Sequence, residues 1–353
     1  MHGISLGTAK LQYFNYNLSF VITYFLKTTV KQVLNVALPL LLGLAIMWWM
    51  YREFDFRQLL HTLRYDTAWG WMLLSLVFGV LAPVLRGLRW RQTLEPLGEN
   101  PRRSTCIHAV FISYAASLVV PRIGEVTRCG ILNRYDGTSF SKSIGTVITE
   151  RIIDALLLLT IVVVVILSQL GIFYKFFEET GVGIGTTLQS FTPMGWFVTI
   201  LCLIVTVVFL FILLKRFKFS PNIRKFFSEI RTGIFSLRDV RNKTLFAAYT
   251  IGIWLCYFLH FYIAFYCFQS TQELGLDIGL VAFIVCSIAV IVPTPNGMGP
   301  WHFAVKTILV LYGVETTGAE TFVLVVHTVH TALIPILAVY AMMCLKRRPL
   351  DLR

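Results

Sequence analysis

Residues 119–132 read VVPRIGEVTRCGIL: an apolar run stops at Pro121, and Arg122, Glu125 and Arg128 follow at intervals of three. On a water-soluble protein such charges would be unremarkable. This chain is of another kind, with 56% hydrophobic, 14% aromatic and only 14% charged residues among 353, and a mean hydropathy of +0.72. That composition excludes an ordinary soluble domain and leaves no long polar stretch for a soluble catalytic unit. Charges beside a proline break inside such a chain predict a helix interrupted within the bilayer.

Working outward, six apolar runs are long enough to cross about 30 Å of hydrocarbon, which takes roughly 20 helical residues. They fall at about 31–50, 69–85, 143–167, 195–214, 244–268 and 322–345. Two further runs, about 105–120 and 278–292, are shorter; the first ends at Pro121 and the second at Pro293 and Pro295. Short apolar runs followed by Pro/Gly breaks predict re-entrant hairpins. Residues 1–30 lack a basic start and a small-residue cleavage site, so an interfacial segment is expected there and not a signal peptide. The expected layout is that segment, one transmembrane domain over 31–345 and a basic tail over 346–353.

With the N-terminus inside and each hairpin returning to its own side, the inner segments hold 25 of the 31 lysines and arginines, and the outer ones five. Arg151 lies within a helix. This positive-inside bias predicts a multi-pass protein of the cytoplasmic (inner) membrane with both termini cytoplasmic. It also locates the +13 formal charge against anionic lipid of the inner leaflet, which removes any need for a nucleic-acid partner. One inner loop, 220–240, sets Ile223, Phe226, Phe227, Ile230, Ile234 and Leu237 on one helical face. It suits a helix lying on the inner leaflet, with a loop helix packed on protein as the alternative.

The two breaks resemble each other. YAASLVVPRIGEVTRCGIL (114–132) and SIAVIVPTPNGMGPWHFAV (287–305) each run from small apolar residues through a V-P step into a glycine-containing turn and a returning segment. Each precedes a long helix with unusual polar residues. The topology has them enter from opposite sides, the mark of an inverted repeat whose binding site lies near the midplane. The fold expected is therefore all-α and polytopic, with about six spanning helices and two oppositely oriented hairpins.

The first of those helices carries Glu150, Arg151 and Asp154 ahead of LLLLTIVVVVIL. A charge near the bilayer centre costs about 2.5–3.5 kcal/mol on insertion scales unless paired or hydrated, so three together face protein or a water-filled cavity. They form either a structural ion-pair knot or a functional site. Arg122 and Arg128, on a broken segment with Gly124 and Glu125 between them, have the chemistry to seat a phosphate or carboxylate. Pro293, Pro295, Asn296, Gly297 and Gly299, followed by Trp301 and His302, form a break where backbone can approach a ligand, or simply a tight turn. His327 and His330 stand three apart on one helical face, and with Lys306 they are candidates for a polar or proton relay. No acidic or cysteine cluster accompanies them, so no metal is expected, and nothing implies a cofactor. The seven cysteines include no C-x-x-C pair. There is no P-loop, no H-E-x-x-H and no G-x-S-x-G.

R-I-G-E-V-T-R (122–128), the T-E-R-I-I-D helix about twenty residues later, and the distal P-T-P-N-G-M-G break in that order resemble the lysylphosphatidylglycerol synthase transmembrane-domain family. The family includes the membrane half of the multiple peptide resistance factor and many stand-alone bacterial and archaeal proteins. The resemblance covers about residues 30–345 and implies a lipid-flippase-like fold, with functional expectation carried to Arg122, Gly124, Glu125, Arg128, Glu150, Arg151, Asp154 and the 293–299 break. Two-part members append a soluble aminoacyltransferase domain, whereas this sequence runs to KRRPLDLR without one, so lysine transfer is not expected. The leading expectation is a protein that binds a lipid with an anionic headgroup and moves it across the bilayer. An integral-membrane enzyme on a lipid-linked substrate, or a non-transporting scaffold in envelope-lipid metabolism, remain as alternatives. Oligomeric state is not legible.

The topology is testable with single cysteines in a cysteine-free background. Phe226→Cys should react only with reagent supplied from the cytoplasmic side, and Tyr174→Cys from the outside; the reverse pattern overturns the orientation.

Overall fold

The computed structural model describes residues 30–52, 54–120, 123–168, 228, 231–233, 235–292 and 294–346. Every regular element among them is helical. In chain order they are α1 (Val30–Tyr51), α2 (Phe56–His61), α3 (Trp69–Leu94), α4 (Arg103–Val119), α5 (Gly124–Asp136), α6 (Phe140–Ser168), α7 (Lys243–Tyr262), α8 (Leu276–Ala289), α9 (Pro300–Leu311) and α10 (Thr316–Lys346). The expected helix at 195–214 and most of the 220–240 loop helix lie outside the described residues.

Three helical stretches among the described residues are apolar and long enough to cross a membrane: Trp69–Leu97, Lys243–Cys267 and Thr316–Lys346. Their outward faces carry Leu73, Val77, Ile251, Leu255, Ile336 and Val339, all exposed. In water such faces would be a liability; against lipid chains they are the expected contact surface. The chain is an all-α, multi-pass membrane protein.

One sequence boundary needs correction. The second run was expected to end at 85, but α3 continues to Leu94 and the helical stretch to Leu97. Arg86 and Arg89, counted as loop charges, lie inside the helix and are 4% and 0% exposed. A hydropathy window ends a span at an arginine, whereas the helix needs only hydrogen bonds and a buried partner for the charge. Arg91 also lies within α3; without these three, the segments expected inside still hold 22 basic residues against five expected outside.

Two helix–break–helix units organise the packing. In the first, α4 ends at Val120 in an extended conformation and α5 starts at Gly124; Pro121 and Arg122 lie outside the described residues. In the second, α8 gives way to a 3-10 turn, Pro295–Gly297, and then α9, with Pro300 in its first turn. Asn296, Gly297 and Gly299 all have positive φ there, so the chain reverses sharply. Pro293 lies outside the described residues.

Each unit has its own core. Trp90, Leu94, Cys106, Val110, Cys129 and Leu132 join α3, α4 and α5. An aromatic core of Phe261, Phe265, Phe283, Trp301 and Phe322 joins α7 to α10. The two interlock, because α3 packs along α7, α10 along α4, and the Pro295–Gly297 turn against α4. At one end Arg102 grips Asp136 through its backbone N–H at 2.8 Å and its Nε at 2.7 Å. Lys142 donates to Glu99 and to the Leu97 carbonyl, both at 2.9 Å, which ties the end of α3 to the start of α6.

The first hairpin closes through Gly124. A Cβ there would sit 2.0 Å from the Ser113 carbonyl oxygen and 2.4 Å from Ser117 Oγ, and the Gly124 N–H donates to Ser117 Oγ at 3.2 Å. Gly124→Ala should therefore destabilise the protein by about 1–3 kcal/mol through overpacking, read as thermal unfolding in detergent. Gly130→Ala, on the same helix with open space around it, is the control and should be neutral or stabilising by up to about 1 kcal/mol.

Candidate functional site

The charges of the first half converge between three helices. From α3 come Arg86 and Arg89, from α5 Glu125 and Arg128, and from α6 Glu150, Arg151 and Asp154. On α6 the i,i+4 spacing of Glu150 and Asp154 puts both carboxylates on the face toward α3, where Arg86 and Arg89 stand i,i+3. Asp154 receives Arg86 Nη2 at 3.0 Å and Arg89 Nη2 at 2.9 Å. Glu150 receives Arg128 Nη1 at 2.8 Å, with Arg89 Nε at 3.4 Å. Arg89 also donates to Thr250 Oγ1 of α7 at 3.2 Å.

Aromatic faces support the guanidinium groups. Arg128 lies 4.7 Å from the centroid of Trp90, Arg89 5.7 Å from Phe246 and Arg86 5.8 Å from Tyr257. Trp90 is itself held by Thr146 Oγ1 at 2.9 Å. Glu125 and Arg151 make the outer part of the cluster, 2.8 Å apart with both side chains over 40% exposed. Glu125 thus holds Arg151, while Arg128 of its own segment goes to Glu150. Arg151 reaches Asp154 only at 3.9 Å.

Four arginines face three carboxylates, a formal excess of one positive charge among the described residues. Four guanidinium donors of the cluster, Arg86 Nε and Nη1, Arg89 Nε and Arg128 Nη2, are buried without a hydrogen-bond partner among the described residues, as are two acceptors, Glu150 Oε1 and Asp154 Oδ2, so donors outnumber acceptors. Unsatisfied guanidinium N–H groups in a buried place are expensive and fit an anionic acceptor.

A family model of the lysylphosphatidylglycerol synthase TM region matches residues 36–338, a span that takes in both breaks and the whole cluster. The chain belongs to that family. No curated protein matches it. The chain is thus an integral membrane protein of a lipid-handling family.

The second break of this family member is polar without being charged. Asn296 donates through Nδ2 to Thr331 Oγ1 at 2.7 Å, and Thr331 Oγ1 lies 3.4 Å from His327 Nδ1. His327 Nε2 donates to the Asn296 carbonyl at 3.1 Å, so Asn296 latches the turn to α10 through both its side chain and its backbone. The His302 ring lies 4.3 Å from that of His327, and the Gly299 N–H points to His302 Nδ1 at 3.4 Å. Trp301 packs 5.1 Å from His327. Lys306 is paired with Glu320, away from the histidines. His330 leaves this group and meets His260 of α7. No group of three metal-ligating side chains occurs among the described residues.

Sequence reasoning found the acidic helix and Arg128 but missed Arg86 and Arg89, whose i,i+3 spacing in RGLRW was the available signal. It missed Ser75 and His260 too.

The ion pairs predict a strongly non-additive response. Arg89→Leu or Asp154→Leu alone should destabilise the protein by about 3–5 kcal/mol, because each strands buried charge. The double variant should lose less than the sum, with a coupling of at least about 1 kcal/mol in a cycle of thermal unfolding measurements; additive losses would refute contact between them.

Proposed function

We propose that this protein binds a membrane lipid with an anionic headgroup at the α3–α5–α6 charge cluster and moves it across the bilayer. The observation that carries the reading is the excess guanidinium charge with buried, unpartnered N–H donors on Arg86 and Arg128. A phosphate or phosphodiester supplies both the missing negative charge and the missing acceptors. Glu125 and Arg151 stand at the mouth of the cluster, where an arriving anion competes with Glu125 for Arg151.

Movement across the bilayer is favoured over retention because both helix–break–helix units meet at the α4 contact, the arrangement expected of an inverted repeat with re-entrant hairpins. The headgroup enters from the cytoplasmic side of the inner membrane, the side toward which the basic residues are biased. An enzymatic role for the buried acids is less well supported. Glu150 and Asp154 are each ion-paired with two arginines, which holds both carboxylates in the charged form and disfavours them as proton donors.

Native mass spectrometry of the purified protein tests the binding, and vesicles containing fluorescent phosphatidylglycerol test the movement. Arg86→Gln with Arg128→Gln should lose retained anionic lipid while remaining folded. Glu125→Gln should retain as much or more, since it frees Arg151. Full anionic-lipid occupancy in a folded double-glutamine variant would make the cluster a structural clamp.

A further inference from the structure

The three apolar helices long enough to cross a membrane meet at a pair of histidines. His260 of α7 and His330 of α10 stack with ring centroids 3.5 Å apart and 21° between their planes. Ser75 of α3 holds both: its carbonyl lies 2.7 Å from His260 Nδ1, and its hydroxyl 3.2 Å from His330 Nε2. Donor counting assigns the tautomers. A carbonyl only accepts, so His260 carries its proton on Nδ1. The single hydroxyl proton of Ser75 goes to the Met72 carbonyl at 2.7 Å, so the hydroxyl accepts from His330 Nε2–H. His260 Nε2 and His330 Nδ1 are then lone-pair nitrogens with no hydrogen-bond donor to either among the described residues.

The surroundings are shaped for these rings. A Cβ on Gly79 would come within 2.6 Å of His260 Cε1 and 2.9 Å of Nε2, so the seat exists only because residue 79 is glycine. Pro83 and Pro335 lie inside α3 and α10, four residues past Gly79 and Thr331. They deprive those two carbonyls of the amide donor that a continuous helix supplies. The titratable groups around the pair are His327, three residues before His330, with His302 beyond it; Tyr257, three residues before His260, hydrogen-bonded to Tyr114 at 2.6 Å; and His108 of α4, against Tyr340 of α10. Of α3, Ser75, Met72 and Gly79 bring no charge. The nearest link to charge is Arg86, which lies over the Tyr257 ring.

We propose that His260 and His330 form a binding site for one proton, and that this proton is the coupling ion of the lipid movement proposed above, on which the coupling rests. The proton adds to His260 Nε2 or His330 Nδ1 without breaking either bond to Ser75. A second is refused, because two imidazolium rings stacked at 3.5 Å repel each other strongly. Tyr257, three residues before His260 on α7, carries Arg86 over its ring, and Arg86 stands 11 residues after Ser75 on α3, about 16 Å along the helix.

Nitrogen NMR of the 15N-histidine-labelled full chain in lipid vesicles tests the site, between about pH 8 and pH 4, a range that brackets a free imidazole. His260→Gln and His330→Gln assign the signals. The expected result is Nδ1–H on His260 and Nε2–H on His330 at high pH, and uptake of one proton by the pair. Ser75→Ala should scramble the His330 tautomer and spare that of His260. No uptake, two protons, or the opposite tautomers would overturn the site. Fluorescent phosphatidylglycerol in the same vesicles tests the coupling. Its movement should change several-fold with an imposed pH gradient and lose that response in His330→Gln. Lipid movement indifferent to the gradient overturns the coupling but leaves the lipid reading standing. A titrating pair in a protein that moves no lipid overturns both the lipid reading and the coupling, and leaves the proton site.

Discussion

Seven charged side chains among lipid-facing helices, five of them buried and the Glu125–Arg151 pair half-exposed at the edge, are the constraint on which the first half of this protein depends. Each would cost about 2.5–3.5 kcal/mol alone in the bilayer centre, and the cost is met only if acids and bases from different helices arrive at one place. Arg86 and Arg89 on α3 demand Glu150 and Asp154 on α6, and Glu150 in turn holds Arg128 on α5. Those demands set how the first hairpin lies against its neighbours, and the Gly124 contact with Ser113 closes the hairpin tightly enough to bring Arg128 into range. The knot is incomplete in one respect, its surplus of positive charge, and the candidate function grows from that surplus.

The second half solves a similar geometric problem with neutral groups. The Pro295–Gly297 turn is tied to α10 by Asn296, Thr331 and His327, and the helices behind it are bound by aromatic packing. Imidazoles and hydroxyls satisfy the broken backbone at a smaller desolvation penalty than ions would. The two halves therefore differ in kind: one presents charge suited to an anion, the other uncharged bases suited to a proton. α3 carries Arg86 and Arg89 near one end and Ser75 near the other, and so belongs to both.

Local chemistry was legible from the sequence by itself. Apolar runs of spanning length, the Pro/Gly breaks and the acidic helix follow from hydropathy and turn chemistry, which act over a few residues; departures among the described helices include the end of α3, nine residues beyond the expected one, and the start of α10, six residues before it. The family was legible as well, through R-I-G-E-V-T-R and T-E-R-I-I-D. Tertiary structure alone decided the partners. Arg89 meets Asp154 across 65 residues, His260 meets Ser75 across 185 and His330 meets it across 255. No periodicity reports such pairings, because they are chosen by which helix faces pack, and that choice minimises stranded charge over the whole molecule at once. An arginine near the end of an apolar run reads as a loop residue; only the carboxylate opposite it shows that Arg86 and Arg89 belong inside.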